Sequence, residues 1–301
     1  MQAVIAEIDK HFDLANGEAR RLFHGRGHRF EGFEHLVVDC FLPVIVIRAY
    51  APLLQDHLDT LVEHFTSKAG VEGVVLQYRG SEAKNQVEVV WGQVPKQLVA
   101  TEGGLKFQLS PLAVQNSGLF LDMRAGRDWV RKHAQGRRVL NLFAYTCGFS
   151  VYALAGDADY VVNLDMAKGA LRTGQKNHEL NELDRSRVSF LSHDLFKSWG
   201  KLKRLGPYDL IIIDPPSFQK GSFVAEMDYK KVIRRLPDLL TEHGQVLACH
   251  NDPSQNTDFL INEMAAHCPS LTFDQRINNP DEFADAFAER GLKTLLFSQE
   301  V

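Results

Sequence analysis

Two acids at the ends of apolar runs carry the chemistry open to this sequence. The run at 208–213 leads into Asp214, Pro215, Pro216, Ser217 and Phe218, and the run at 160–164 leads into Asp165. Two prolines after an acid make a stiff turn that fixes the carboxylate and the intervening carbonyls, while Phe218 can stack on a planar ring. Such a group accepts hydrogen bonds from an amino group on a base and holds a nitrogen in line with a methyl donor. That displacement gains chiefly from near-attack geometry. Asp214, Pro215, Pro216 and Phe218 are the candidate catalytic residues, the alternative being a proline-stiffened loop with no catalytic role.

Asp165 suits the hydroxyls of a ribose, because an acid ending the second strand of a βαβ unit faces the ligand crevice. It stands 22 residues after Phe143 (165 minus 143), close to the spacing that job requires. The turn from Ala144 to Gly148 offers one glycine and no G-x-G-x-x-G, so a diphosphate is poorly served and a nucleoside without one fits better. S-adenosylmethionine is the common cofactor of that description. The alternative is an ordinary crossover whose acid only caps a helix. Asp194, after the third apolar run, could accept from an adenine amino group with Leu195 or Phe196 covering the ring, and could equally cap a helix start. Cys249 raises the possibility of a thiolate nucleophile for pyrimidine C5, but a buried strand cysteine is the commoner case.

These residues need a parallel sheet to position them. Strands are expected at 139–143, 160–165, 188–192, 208–214, 245–250, 271–276 and 293–297, with helices between them. The fold class is α/β, a Rossmann-like, mostly parallel seven-stranded sheet. Residues 118–134 read as an amphipathic linking helix. Before it, a small α+β domain is expected: a helix at 3–22, β segments either side of Pro43, a helix at 53–67 and strands flanking a polar turn at 81–85. A hairpin turning at Gly103 and Gly104 completes it. The expected division is 1–35 (helix and basic loop), 36–115 (α+β domain) and 116–301 (the sheet).

With 301 residues, 45% of them hydrophobic, the chain can bury a large core. Its net charge of -4 argues against blanket nucleic-acid affinity, so any RNA contact must come from local basic clusters at 20–29, 124–138 and 230–235. In the first, Arg20, Arg21, Arg26 and Arg29 stand among His24, His28, Phe23 and Phe30. That pattern reads as a loop gripping phosphates or as a solvated turn. Four cysteines without C-x-x-C spacing suggest reduced thiols, no metal site and a cytoplasmic protein; no apolar run is long enough for a membrane span.

The segments EGGLKFQLS, NSGLFLDMR, VLNLFAYTCGFSV, NLDMAKGAL, NHELN, DLIIIDPPSF and GQVLACHN, in this order, resemble the class I S-adenosylmethionine-dependent methyltransferases of large-subunit ribosomal RNA of the I and K/L type. The likeness runs from about residue 100 to 255. It implies that Phe120 and Arg124 lie near the methionine end of the cofactor and that Asn141, Phe143, Ala144, Tyr145 and Gly148 line its loop. Asp165 and Met166 would hold ribose and adenine, Asp194 the adenine amino group with Leu195 beside it, and Asp214 and the prolines would face cofactor and substrate. Cytosine-C5 members carry a cysteine where Asn251 stands here, which points toward a base nitrogen as methyl acceptor. The expected activity is methylation of RNA, ribosomal RNA first. The alternative among enzymes is a methyltransferase for a protein or small molecule, which the acidic charge would suit; a non-catalytic RNA-binding factor would fail to bind the cofactor; a dinucleotide oxidoreductase lacks the glycine fingerprint.

Overall fold

The structure is a computed structural model that describes residues 1–79, 86–114, 116–216, 218–219 and 223–299, with the backbone alone for Phe218 and Gln219. The expected turn at 81–85 and Ser217 lie outside the described residues. The chain divides into two compact units, Met1–Asp122 with Pro280–Ala288, and Met123–Asn279 with Glu289–Val301.

In the first unit, helix α1 (Gln2–Ala15) stops earlier than the expected 3–22, because Asn16 and Gly17 take left-handed conformations (φ 46° and 83°) that end the helix. Residues beyond them form β1 (Arg20–His24) rather than more helix. Then come β2 (Leu36–Phe41), β3 (Val44–Ala49), α2 (Gln55–Thr66), β4 (Gly73–Tyr78) and β5 (Gln86–Gly92). They make one sheet in the order β1-β2-β3-β4-β5, with β3 and β4 parallel across α2. β2 and β3 are buried along their whole length, so the charges they carry must be paired. Asp39 accepts hydrogen bonds from Arg21 and Arg48, and Arg48 also donates to Gln77 (2.9 Å) and Ser117 (2.8 Å). A hairpin of β6 (Leu98–Glu102) and β7 (Leu105–Leu109) turns at Gly103 and Gly104 as the sequence implies.

In the second unit, α3 (Arg124–His133) starts later than the linking helix expected at 118–134, after a 3-10 turn at Leu121–Met123. Next come β8 (Arg138–Leu142), α4 (Gly148–Ala155), β9 (Tyr160–Asp165), α5 (Lys168–Leu180), β10 (Val188–Ser192), α6 (Trp199–Leu205) and β11 (Tyr208–Ile213). A two-residue ribbon of β12 (Phe218–Gln219) and β13 (Phe223–Val224) precedes α7 (Ala225–Ile233), β14 (Leu240–His250), α8 (Thr257–His267), β15 (Leu271–Ile277) and β16 (Lys293–Gln299). The sheet order is β10-β9-β8-β11-β14-β16-β15, and β16 runs antiparallel to both its neighbours, so the sheet is mostly parallel as expected.

Alternation along the strands splits the core between two faces. Leu140, Leu142, Ile211, Ile213, Val246 and Ala248 pack under α6, α7 and α8; Val139, Leu210, Ile212, Leu247 and Cys249 pack under α3 and α4. Strand order reverses between β8 and β11, the switch point where an open α/β sheet leaves a crevice at the carboxyl ends of its strands.

Candidate active site

Register lines the chemistry up along that edge. Leu142 pairs with both Leu164 and Ile213, and Ile213 also pairs with Ala248, so Phe143, Asp165, Asp214 and the end of β14 leave the sheet side by side. Phe143 and Asp214, expected as strand ends, have stepped off the sheet.

The loop after β8 is built from left-handed residues: Phe143 (φ 58°), Tyr145 (φ 48°) and Cys147 (φ 63°). None is glycine, and each such residue costs about 1–2 kcal/mol, so its surroundings must impose the shape. Asp165 supplies part of that constraint. Its Oδ2 accepts from the Tyr145 N–H (2.8 Å) and its Oδ1 from the Ala167 N–H (2.7 Å). The carboxylate ties the loop of β8 to the loop of β9, and each oxygen keeps lone-pair capacity for a further donor. Beside it Met166 leaves an apolar side chain 55% exposed.

Behind the loop runs a directed hydrogen-bond chain. Asn141 Nδ2 donates to Asn163 Oδ1 (2.9 Å), and Asn163 Nδ2 donates to Ser150 Oγ (2.9 Å). Ser150 bonds His178 Nε2 (2.9 Å), and His178 Nδ1 bonds the Gly174 carbonyl (2.7 Å). A neutral imidazole with its proton on Nδ1, accepting the Ser150 hydroxyl at Nε2, satisfies every link, and burial pushes the His178 pKa down in agreement. Gly174 is where α5 meets the loop: a Cβ there would lie 2.4 Å from Cys147 Sγ. Cys147 is fully buried, and burial together with the Asp165 charge raises its pKa well above the usual thiol range, so it packs and does not attack.

On the other face, Tyr229 Oη shares its proton between the Cys249 carbonyl (2.8 Å) and the Ile213 carbonyl (3.2 Å). One phenol thus fixes the spacing between the strand that leads into Asp214 and the strand that leads into Asn251. Burial, with Cys249 and Asp214 adding, raises its pKa well above the ordinary phenol range and keeps it a donor. An edge-to-face row continues from it, with Phe143 to Phe223 at 5.0 Å and Phe223 to Tyr229 at 5.9 Å.

Pro215 is buried, while Asp214 and Pro216 are partly exposed. Phe218 lies in β12, paired with Val224. Asp194 caps the short 3-10 turn Leu195–Lys197 through the Phe196 N–H (2.9 Å), so the capping role foreseen for it is present. Leu195 is 3% exposed within the core, and half-buried Phe196 packs edge-on against Trp199 at 6.3 Å. Ala144 is buried, and Gly148 is the first residue of α4. Arg124 opens α3 near Asp128 (4.0 Å); Phe120 falls in the first unit, 44% exposed. Cys249 is 1% exposed among the side chains under α3 and α4 and faces away from the row at Tyr229. Of the basic clusters, Arg20 bonds Glu282 (3.0 Å), Arg21 bonds Asp39, and Arg138 bonds the Leu205 carbonyl (2.6 Å). Arg127 is buried. Much of the first two clusters therefore serves the fold.

Asn163, Ser150, His178, Gly174 and Tyr229 were not singled out by sequence reasoning. Their residue types are those of ordinary core, and only the register of β8 with β9 and of β11 with β14 brings them under the loops. Together, the anchored Asp165, the exposed Met166 and a loop without a glycine-rich phosphate cradle suit a nucleoside carrying no diphosphate.

Comparison with known proteins agrees. A model of the S-adenosylmethionine-dependent methyltransferase family matches residues 20–298. The chain is 41% identical over 173 residues to ribosomal RNA large subunit methyltransferase I of Aeromonas hydrophila, covering 56% of this chain and 44% of that one. It is 34% identical over 199 residues to a ribosomal RNA large subunit methyltransferase of Deinococcus radiodurans, covering 63% and 49%. The chain thus spans about half the length of these curated relatives. Among solved structures, the methyltransferase SMU.776 complexed with SAH has a TM-score of 0.87 at 27% identity, over 99% of this chain and 81% of that chain. A SAM-dependent methyltransferase from Streptococcus mutans has a TM-score of 0.86 at 26% identity, with the same coverage. Matched along nearly its whole length, the chain belongs to the S-adenosylmethionine-dependent methyltransferases.

Proposed function

We propose that this chain methylates a base nitrogen of RNA, with ribosomal RNA as the substrate class, in the cytoplasm. The observation that carries the reading is the row of Asp165, Phe143, Asp214 and Asn251 at one sheet edge, with no cysteine at its exposed positions and Cys249 buried on the α3 and α4 face. The printed names of the relatives, ribosomal RNA large subunit methyltransferases, support the substrate class.

When bound, S-adenosylmethionine supplies an electrophilic methyl group on a sulfonium. Asp165 would hold the ribose hydroxyls, Met166 would cover the adenine, and Asp194 would take the adenine amino group while capping its own turn. Phe143, Ala144, Tyr145 and Gly148 would shape the cofactor loop, with Arg124 toward the methionine end. Asn141 and Leu195, both buried, act from beneath by holding that loop and the β10 turn. Asp214 would accept an N–H from the target base and hold the proton the nitrogen releases, while the Pro215 and Pro216 turn fixes its direction. Such positioning lowers the barrier to an in-line displacement.

The test is transfer from methyl-labelled S-adenosylmethionine to ribosomal RNA, followed by nucleoside digestion and mass spectrometry. An N-methylated base is expected. Label confined to protein or small molecules would overturn the substrate class, and a C5-methylated pyrimidine would overturn the target atom.

A further inference from the structure

α6 and α7 build a cationic face set with two partly buried aromatic rings, Phe196 and Trp199, whose inner sides pack on the core. α6 carries Lys201, Lys203 and Arg204 in seven residues with no acid, and Lys197 precedes it, 85% exposed at its side chain. Lys231, Arg234 and Arg235 stand exposed at the end of α7 and just past it. Two contacts join the helices at the surface: Lys231 lies 5.5 Å from the Phe196 ring centre and Arg235 lies 5.9 Å from that of Trp199. Among the described residues three acids answer these seven cations: Asp194 lies 3.6 Å from Lys197, Asp228 2.7 Å from Lys231 and Asp238 3.0 Å from Lys203. In a chain of net charge -4, that excess is local. The face flanks the β10 turn that holds Asp194, and α7 follows the segment that starts at Asp214.

We infer that the α6–α7 face is the RNA-docking surface of this methyltransferase, with Lys197, Lys201, Arg204, Arg234 and Arg235 on phosphates and Trp199 and Phe196 offering ring faces to unpaired bases. The inference rests on the RNA reading above and adds where the substrate lies. Cations that track a backbone, interleaved with aromatics, are what binding of single-stranded nucleic acid requires. Each phosphate contact releases counterions, so the face has a salt signature that a packing role does not.

The probe is a fluorescein-labelled, mixed-sequence single-stranded RNA titrated with the full chain across a salt series, with S-adenosylmethionine affinity measured in parallel. Lys201→Gln/Arg204→Gln removes two exposed cations, of which Lys201 reaches the exposed His193 ring (3.1 Å). The magnitude of the slope of log affinity against log salt should fall by roughly 1.4 relative to the parent, at about 0.7 per contact. Affinity for S-adenosylmethionine should not change. The control Lys176→Gln/Arg185→Gln, on and after α5, should keep the parent slope. An unchanged slope in the α6 variant, or an equal drop in the control, would overturn the face while leaving the RNA reading intact. No binding of RNA by the parent would overturn the RNA reading itself. Equal binding and equal salt slope with a polyglutamate peptide would mark the face as a site for acidic protein and overturn the inference as well.

Discussion

Gly174→Ala tests whether α5 holds the cofactor loop by direct contact. Inside an exposed helix this change would stabilise by about 1 kcal/mol, because alanine is the better helix former. Here the new Cβ would lie 2.4 Å from Cys147 Sγ and 3.0 Å from Cys147 Cβ, and Cys147 is a fully buried, left-handed residue with little room to retreat. Overpacking of this kind costs about 1–3 kcal/mol, so the variant should be less stable than the parent by up to about 2 kcal/mol. Cys147→Ala removes the sulfur and leaves the milder approaches to Cys147 Cβ (3.0 Å) and the Thr146 carbonyl carbon (3.3 Å), so Gly174→Ala should cost less in that background. The two changes should then show a coupling of at least about 1 kcal/mol. Since Cys147 closes the loop whose Tyr145 N–H rests on Asp165, affinity for S-adenosylmethionine should fall with stability, by about tenfold for a 1.4 kcal/mol displacement. Urea unfolding of the four proteins followed by circular dichroism, with calorimetric titration of each, measures both quantities. Additive effects, or a Gly174→Ala protein more stable than the parent, would refute the contact.

Acid lability should come from histidines before carboxylates. Burial, with Arg21 beside it, pushes His24 down to about 3, and burial lowers His178 in the same sense. A lowered folded-state pKa makes this stabilisation whole above about pH 6.5 and lost as pH falls below it; for His24, which stays neutral in the folded state at pH 5, the loss there is about 2 kcal/mol. Asp39, which burial would raise but which Arg21 and Arg48 hold low, loses its contribution only below the usual carboxylate range. A urea midpoint that stays flat from pH 7 to pH 5 would contradict this. Tyr229→Phe removes one hydroxyl and should slow methyl transfer while sparing S-adenosylmethionine affinity, since the phenol spaces Ile213 from Cys249 and touches neither cofactor loop; an equal loss in both measurements would refute that role. Cys249→Ser should keep most activity, and a folded, cofactor-binding but inactive protein would instead implicate the thiol.

Much of the fold was legible in residue order because burial on both sides of a parallel sheet writes unbroken apolar runs such as Leu210–Ile213, and the acids after them leave the sheet at its carboxyl edge. The strands at 160–165 and 188–192 fall where the runs place them. What sequence could not reveal depends on register and on long-range pairing. Asn141 reads as a loop-lining residue until β8 is set against β9, when its amide meets Asn163 at 2.9 Å. Left-handed φ at Phe143 and Tyr145 has no sequence signal, because neither is glycine, asparagine or aspartate; part of the constraint, the bond to the Tyr145 N–H, comes from Asp165 on another strand. The Asn16 and Gly17 stop after α1 was visible in the sequence, and helical periodicity was carried past it into what is β1. Basic clusters were read as surface by composition, yet Arg21 and Arg127 turn inward to Asp39 and Tyr152.

The central claim is a division of labour along the sheet edge, in which Asp165 holds the cofactor and Asp214 the acceptor. Calorimetric titration of the parent, Asp165→Ala and Asp214→Ala with S-adenosylmethionine tests it most directly. The Asp165→Ala protein should lose about 1.5–3 kcal/mol of affinity, the range for hydrogen bonds to a charged group. Asp214→Ala should bind as the parent does and transfer slowly. Equal loss of affinity in both variants would contradict the division.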